Sequence, residues 1–180
     1  LLLPRGEEDL CRRLYQGLRD AFFALNRWVI DLDAAVMENA SLQALTDLSG
    51  PILRNPVVFF DTGFSVLAHT GNLTERDAPL YEVVRSGTAD PGTILQLQTV
   101  KRTPPTPLGK GLVYQSTDEI CGQEELFVHL TGQDGAMLAR MNMRCRELPA
   151  TDGLLPLLQL FLGRVTRLLG RHIPPPAIPE

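Results

Sequence analysis

The hydrophobic pattern of the first forty residues predicts one long amphipathic helix. From Glu7 to about Glu38, apolar residues recur at spacings of three and four. These positions are Leu10, Leu14, Leu18, Phe22, Leu25, Val29, Leu32 and Val36. A helix of roughly 30 residues would be about 45 Å long, more than a small domain covers, so we expect part of it to pack on a partner. The alternative is a helix that bends at Gly17 or near Asn26 and folds back on its own domain.

A second, shorter helix is predicted directly after the first. Asn39 or Ser41 can cap its N-terminus, and its apolar positions are Leu42, Leu45 and Leu48. We expect the segment from Ser49 to Pro51 to stop it, because proline removes a backbone donor and interrupts a helix.

The period then changes to two, which is typical of strands with one buried face. Residues 56–60 and 65–69 are rich in β-formers and flank a turn that contains Asp61 and Gly63, so they predict a hairpin. A second hairpin joins residues 125–131 to residues 136–146. In its last strand two alternating sets face opposite ways: Met137, Ala139, Met141, Met143 and Cys145 on one side, and Leu138, Arg140, Asn142, Arg144 and Arg146 on the other.

The segment between the hairpins, residues 72–108, is less regular. Residues 79–86 suit a short helix, and residues 93–100 fit either a helix or a strand. Residues 103–107 hold three prolines and must be extended, and residues 111–115 read as a short strand.

The end of the chain predicts a closing helix and a spacer. Asp152 can cap a helix whose apolar positions run from Leu154 to Leu169 and which Gly170 ends. The element order predicts an α+β fold with an antiparallel sheet and flanking helices. We expect three parts: a helix over residues 1–40, a domain over residues 41–172, and a proline-rich linker over residues 173–180 that leads to a further domain.

Composition and charge narrow the choice of function. The chain has 17 basic and 21 acidic residues, a net charge of -4, and no concentrated basic stretch, so we expect no direct nucleic-acid binding. Its three cysteines are far apart and odd in number, which favours reduced thiols in a cytoplasmic protein. The apolar stretch from Leu154 to Leu169 is interrupted by polar residues, so we expect no membrane partner.

Sequence motifs for catalysis are missing. There is no G-x-S-x-G turn, and the segment from Gly109 to Gly111 lacks the remaining residues of a phosphate-binding loop. His69, His129 and His172 do not have the spacing of metal ligands. We therefore expect no catalytic residues, no metal and no cofactor; the alternative is a small enzyme whose site residues are scattered along the chain.

The first hairpin carries a family resemblance. The segments Asn55–Asp61 and Phe64–Gly71 resemble the first hairpin of sensory domains in PucR-like (purine catabolism regulator-like) bacterial transcription regulators. The second hairpin and the closing helix resemble the end of GAF-like domains. The resemblance implies a sheet of the PAS/GAF type, a role in ligand sensing and dimerisation, and a DNA-binding part beyond Glu180. The input domain of a histidine kinase is the alternative, because PAS and GAF modules of kinases use a similar turn.

Two sets of residues follow from this interpretation. We expect an unknown small metabolite to lie between the sheet and the irregular segment, near Tyr81, Tyr114, His129 and Arg140. We also expect a homodimer through the terminal helices, because the long helix and the closing helix both carry more apolar surface than docking on a small sheet requires. Its predicted interface residues are Leu14, Leu18, Phe22, Leu25 and Val29.

Overall fold

Six antiparallel strands form one sheet that has helices on both faces. The computed structural model describes residues 5–99, 106–108, 111–117, 124–151 and 153–171. The helices are α1 (Arg5–Met37), α2 (Leu42–Leu53), α3 (Leu80–Ser86), α4 (Pro91–Thr99) and α5 (Leu154–Gly170). The strands are β1 (Val57–Phe60), β2 (Val66–His69), β3 (Thr106–Leu108), β4 (Gly111–Thr117), β5 (Glu124–Thr131) and β6 (Met137–Arg144). None of the helices in the described ranges is long and apolar enough to cross a membrane.

The strand order is β2-β1-β6-β5-β4-β3, so the first strand lies beside the last one. Both predicted hairpins form, and β1 pairs with β6 in antiparallel register, with Phe59 opposite Met141. The predicted α+β fold, an antiparallel sheet with flanking helices, is confirmed. Strand β3 lies in the proline-rich segment, for which the sequence predicted only extended backbone.

The first face of the sheet carries the main hydrophobic core. We call first face the side of the sheet on which the apolar residues of β1, β5 and β6 pack against α1, α2 and α5. The alternation predicted for β6 is confirmed for Ala139, Met141 and Met143, which are buried in this core. It is wrong for Leu138, which also packs against this core, beside the register shift between Leu130 and Thr131 of β5. Its fully buried members also include Leu32, Leu45, Leu53, Phe59, Leu158 and Phe161.

The second face, on the opposite side, has a smaller apolar cluster. Val58 and Phe60 of β1 pack there against Leu80, Val83 and Ala89. These three residues belong to residues 74–89, which lie over this face and which we call the covering segment. Helix α3 spans residues predicted as a helix, and α4 settles the helix-or-strand choice for the following residues in favour of a helix. Each face of β1 is therefore buried, and the run from Val57 to Phe60 is buried throughout.

Helix α1 is one uninterrupted helix with two different halves. In its C-terminal half Trp28, Leu32 and Val36 are buried, and the Trp28 Nε1 donates a hydrogen bond of 3.3 Å to the Ser49 hydroxyl of α2. Every residue from 8 to 24 is exposed, so this half does not fold back over the domain. The alternative of a helix folded back at Gly17 or Asn26 is therefore wrong.

Helix α2 begins as predicted and ends later than predicted. The Ser41 hydroxyl accepts a hydrogen bond from the backbone N–H of Ala44, as an N-cap does. The helix then continues through Pro51 to Leu53, so the predicted stop at residues 49–51 is wrong. Leu53 is completely buried in the main core, and this burial offsets the hydrogen bond that Pro51 cannot donate.

Some predicted features lie outside the described residues. These are the cap at Asp152, Cys121, His172 and the proline-rich segment 173–180. Helix α5 itself covers the predicted closing helix and ends at Gly170.

Candidate functional site

The centre of the second face is a row of residues from three neighbouring strands. Asn142 of β6 lies opposite Val58 of β1 on one side and opposite Phe127 of β5 on the other. Because directly opposed residues of an antiparallel pair point to the same face, the Asn142 amide lies between two apolar side chains. Asn142 is 2% exposed, so water does not reach it freely.

The Asn142 amide is buried without a hydrogen-bond partner. Neither its Nδ2 nor its Oδ1 has one within the part of the chain that the structure describes. A buried amide normally makes hydrogen bonds, since leaving one unpaired costs roughly 1–3 kcal/mol. A free donor and a free acceptor therefore stand side by side on the second face, and a bound molecule could satisfy both.

A buried ion pair lies next to this amide. Arg144 and Glu125 are opposite each other in the β5–β6 register, and the Arg144 Nε lies 2.7 Å from the Glu125 Oε1. Their side chains are 1% and 4% exposed. Removing both charges from water is expensive, and the pairing offsets that cost only with good geometry.

Two arginines tie the covering segment to the end of β6. The Arg144 Nη2 donates to the carbonyl of Ala78, 3.0 Å away, just before α3. The Arg146 Nη1 donates to the Asp77 Oδ2 at 2.8 Å, and the same oxygen accepts from the backbone N–H of Thr74. Asp77 is completely buried, so this carboxylate is a fixed anchor. These contacts attach the segment over the second face to the end of β6.

Two of the predicted ligand residues lie close together on the second face. His129 and Arg140 are opposite each other in the β5–β6 register, one row away from Asn142. The Arg140 guanidinium, however, is held by the β1–β2 turn: it donates to the carbonyl of Thr62 at 3.1 Å and lies 4.2 Å from the centre of the Phe64 ring. Arg140 thus fastens this turn to the sheet.

The other two predicted residues are placed differently. Tyr81 lies on α3, half-buried, with the Arg85 guanidinium 5.9 Å from its ring centre. The backbone of Tyr114 in β4 pairs with Phe127, which puts it in the same row as Asn142. The structure thus brings His129, Arg140 and the Tyr114 backbone to neighbouring rows, and Tyr81 to the covering helix.

The polar centre of this face was missed by the sequence analysis. Alternation placed Asn142 and Arg144 opposite the methionines, but it could not show that both are buried. One signal was available: Glu125 is a charged residue in a strand that is otherwise mostly buried and apolar. Of the two glutamates that begin this strand, Glu125 is the buried one, and a buried charge needs a partner, which here is Arg144.

A groove elsewhere on the domain is less suited to a ligand. An open groove of about 460 Å³ lies beside the ends of α2 and β2, and Asp47, Arg54, Arg146 and Glu147 are among its lining residues. Its arginines already face carboxylates, with Arg54 3.8 Å from Glu147 and Arg146 2.8 Å from Asp77. We therefore place the candidate site on the second face.

The remaining reactive groups are the metal-ligating side chains and the partly buried thiol of Cys145. Groups of three or more His, Cys, Asp or Glu side chains that could hold a metal ion do not occur there. Burial raises the pKa of the Cys145 thiol to about 12, and the charges of Glu124 and Glu125 add to this shift. That thiol stays protonated at neutral pH and is a poor nucleophile.

Comparison with known proteins gives likeness only at the level of solved structures. No family model and no curated protein matches the chain. A phycoerythrobilin-bound GAF domain from a cyanobacterial phytochrome aligns over 82% of this chain and 95% of its own, at 11% identity and a TM-score of 0.48. A phycocyanobilin-bound GAF domain from a cyanobacterial phytochrome aligns over 82% and 94%, at 12% identity and a TM-score of 0.47. Likenesses this weak carry no argument about what the chain binds.

Proposed function

We propose that the chain is a cytoplasmic ligand-sensing domain of the GAF/PAS type that binds a small metabolite on the second face of its sheet. The observation that carries this proposal is the Asn142 amide, which is buried with both polar atoms unpartnered among the described residues. Natural proteins seldom retain such a group unless something satisfies it.

The chemistry of the face indicates the kind of ligand. An amide offers one donor and one acceptor side by side, so it complements a ligand edge that presents an acceptor beside a donor, as amides, ureas and nucleobases do. Val58 and Phe127 on either side supply apolar contact for a flat or aliphatic body. Most small-molecule sites combine an apolar lining with a few such polar groups.

The wider setting is also part of the proposal. We place the domain in a homodimeric bacterial transcription regulator whose DNA-binding part is separate. This placement rests on the PucR-like sequence of the first hairpin, residues 55–71. A histidine kinase input domain is the second candidate. The full-length protein decides between them: a helix-turn-helix domain after residue 180 supports the regulator, and a phosphoacceptor helix with an ATPase domain supports the kinase.

A thermal-shift screen tests ligand binding. The panel contains purines, ureas, amino acids and organic acids, and a ligand at about 100 times its dissociation constant adds roughly 2.7 kcal/mol of stability. We expect a compound that raises the melting temperature of the wild-type chain and has no such effect on Asn142→Leu, which keeps the shape of the side chain but removes the amide.

The matched control is Thr46→Val. Thr46 is also fully buried and polar, but it lies in α2, and its hydroxyl donates to the carbonyl of Leu42. We expect this variant to keep the ligand-induced shift. A shift that survives in Asn142→Leu and disappears in Thr46→Val would place the ligand elsewhere and contradict the proposed site.

A further inference from the structure

Helix α1 carries an apolar stripe with a regular seven-residue repeat that runs through its exposed half and continues into its buried half. Positions three and four apart, in strict alternation, are Cys11, Leu14, Leu18, Ala21, Leu25, Trp28, Leu32 and Ala35. An uninterrupted repeat of this kind over three to four heptads is the pattern of a helix that packs along another helix.

The same stripe is already used as a packing surface in the other half of the helix. Trp28, Leu32 and Ala35 belong to its C-terminal part and are buried against the domain's own core, and Leu25 packs at its edge. Leu14 and Leu18 continue the stripe N-terminally but are 57% and 72% exposed. The repeat thus continues N-terminally into a part of α1 that the described residues of this chain do not cover.

The residues beside the stripe indicate an apolar helical partner. Leu10, Tyr15 and Phe22 flank it, and from residue 10 to residue 25 the stripe and its flanking positions carry no charge; the charged side chains, such as Arg12 and Arg19, lie on the outer face. A second copy presents the same uncharged stripe, and two identical patches meet without charge repulsion about a two-fold axis.

The area is sufficient for a specific contact. The exposed apolar side chains Leu10, Leu14, Tyr15, Leu18 and Phe22 are each more than half exposed. Together they offer on the order of 600 Å² per chain, so a pair of chains would bury roughly 1,000 Å² or more, which reaches the lower limit for specific interfaces.

We propose that residues 10–25 of α1 pair with the same residues of a second copy as a two-stranded coiled coil. This inference deepens the dimeric part of the proposed function and specifies its surface. Of the five interface residues predicted from sequence, Leu14, Leu18 and Phe22 lie in the exposed half, whereas Leu25 and Val29 pack mainly on the chain's own core. The centre of the contact is therefore Leu14 and Leu18.

Sedimentation equilibrium of the 180-residue chain at micromolar concentration tests the proposal. We expect twice the chain mass for the wild type and the single-chain mass for Leu14→Glu/Leu18→Glu. The matched control is Ile30→Glu/Met37→Glu, since Ile30 and Met37 are 64% and 79% exposed but lie on the other side of the same helix. The control should stay dimeric.

Three results would overturn the proposal: a monomeric wild type, a dimer that persists in Leu14→Glu/Leu18→Glu, or dissociation only in the Ile30→Glu/Met37→Glu control. Trp28 fluorescence reports whether each variant keeps its core, because Trp28 is buried beside α2. The milder variant Leu14→Ala/Leu18→Ala should raise the dimer dissociation constant at least tenfold, and an unchanged constant would also count against the interface.

A second readout separates this inference from ligand sensing. Single helices of this length are marginal in water, so helical circular dichroism of the wild type should fall on dilution through the dimer dissociation constant. The ligand-induced thermal shift should persist in Leu14→Glu/Leu18→Glu. A monomeric wild type that still shows the ligand-induced shift contradicts only the dimer, and a dimeric wild type that no compound stabilises contradicts only ligand sensing.

Discussion

The two faces of the sheet are built from different chemistry. On the first face, aliphatic, methionine and aromatic side chains pack against three helices, and Met141, Met143 and Phe161 are almost completely buried. On the second face, the same strands bury an ion pair and an unpartnered amide beside a smaller apolar cluster. The first face is suited to stability, whereas the second buries polar and charged groups whose removal from water costs free energy.

The largest expected effect is a difference between two buried phenylalanines. Phe161 lies in the main core and Phe60 in the smaller cluster, and both are nearly inaccessible to water. We expect Phe161→Ala to lower the free energy of unfolding by about 4 kcal/mol and Phe60→Ala by about 3 kcal/mol, because a small cluster can collapse around the cavity. Urea denaturation measures both, and a larger loss in Phe60→Ala would reverse the ranking of the two faces.

Breaking the buried ion pair should have the next largest effect. Arg144→Met leaves the Glu125 carboxylate buried without its cation, which should lower the free energy of unfolding by about 3 kcal/mol. Adding Glu125→Leu removes the stranded charge, and the double variant should recover at least half of the loss. Chemical denaturation of the two variants gives the comparison; a double variant less stable than Arg144→Met would show that Glu125 is not a stranded charge in the single variant.

Two buried asparagines provide a smaller and opposite pair of effects. Asn142→Leu should raise the free energy of unfolding by about 1 kcal/mol, because it removes an unpartnered amide. Asn55 is equally buried, but its Oδ1 accepts from the backbone N–H groups of Glu147 and Leu148. Asn55→Leu should therefore lower stability by about 2 kcal/mol. Thermal melts without ligand suffice, and destabilisation by Asn142→Leu would argue against a free amide.

The smallest expected effect concerns the ion pair that joins α1 to α5 over the first face. The Arg164 Nε and Nη2 donate to the two carboxylate oxygens of Asp33 at 3.1 and 2.9 Å. These hydrogen bonds, followed by the charges of Arg164 and Arg167, lower the pKa of Asp33 below its ordinary value of 3.8. Because the side chain is 40% exposed, Asp33→Asn should cost less than about 1 kcal/mol.

The pH dependence of this effect follows from the direction of the shift. A lowered carboxyl pKa gives stabilisation that is complete above 3.8 and is lost as the pH falls through the lowered pKa. The free energies of unfolding of the wild type and Asp33→Asn should therefore differ in urea denaturation at pH 6. They should converge as the pH falls through the lowered pKa of Asp33. A difference that grows on acidification would contradict the assigned ion pair.

The sequence predicted the first face far better than the second. Period-two alternation in β6 identified Met141 and Met143 as core residues, because burial of apolar side chains follows local pattern. The contact between Glu125 and Arg144 depends on which residues of β5 and β6 are opposite each other, and that register is a property of the assembled sheet.

Other differences have similar physical causes. Pro51 predicted the end of α2, but burial of Leu53 extends the helix by another turn, so tertiary packing outweighed local propensity. The four predicted ligand residues were chosen because they are polar or aromatic and lie in or beside the irregular segment. Arg140 shows the limit of that criterion, because its guanidinium is engaged by Thr62 and Phe64 of the nearby turn.

The contacts between α1 and α5 fix the relative direction of these two helices. Asp33 lies beside Arg164, and the Arg171 Nη1 donates to the carbonyl of Val36 at 2.6 Å, so the two helices run in the same direction and end at the same level. The exposed half of α1 and the C-terminal end of α5 therefore point to opposite ends of the domain. A pull or twist applied along α1 would therefore act along the length of the domain and reach its opposite end at the C-terminus of α5.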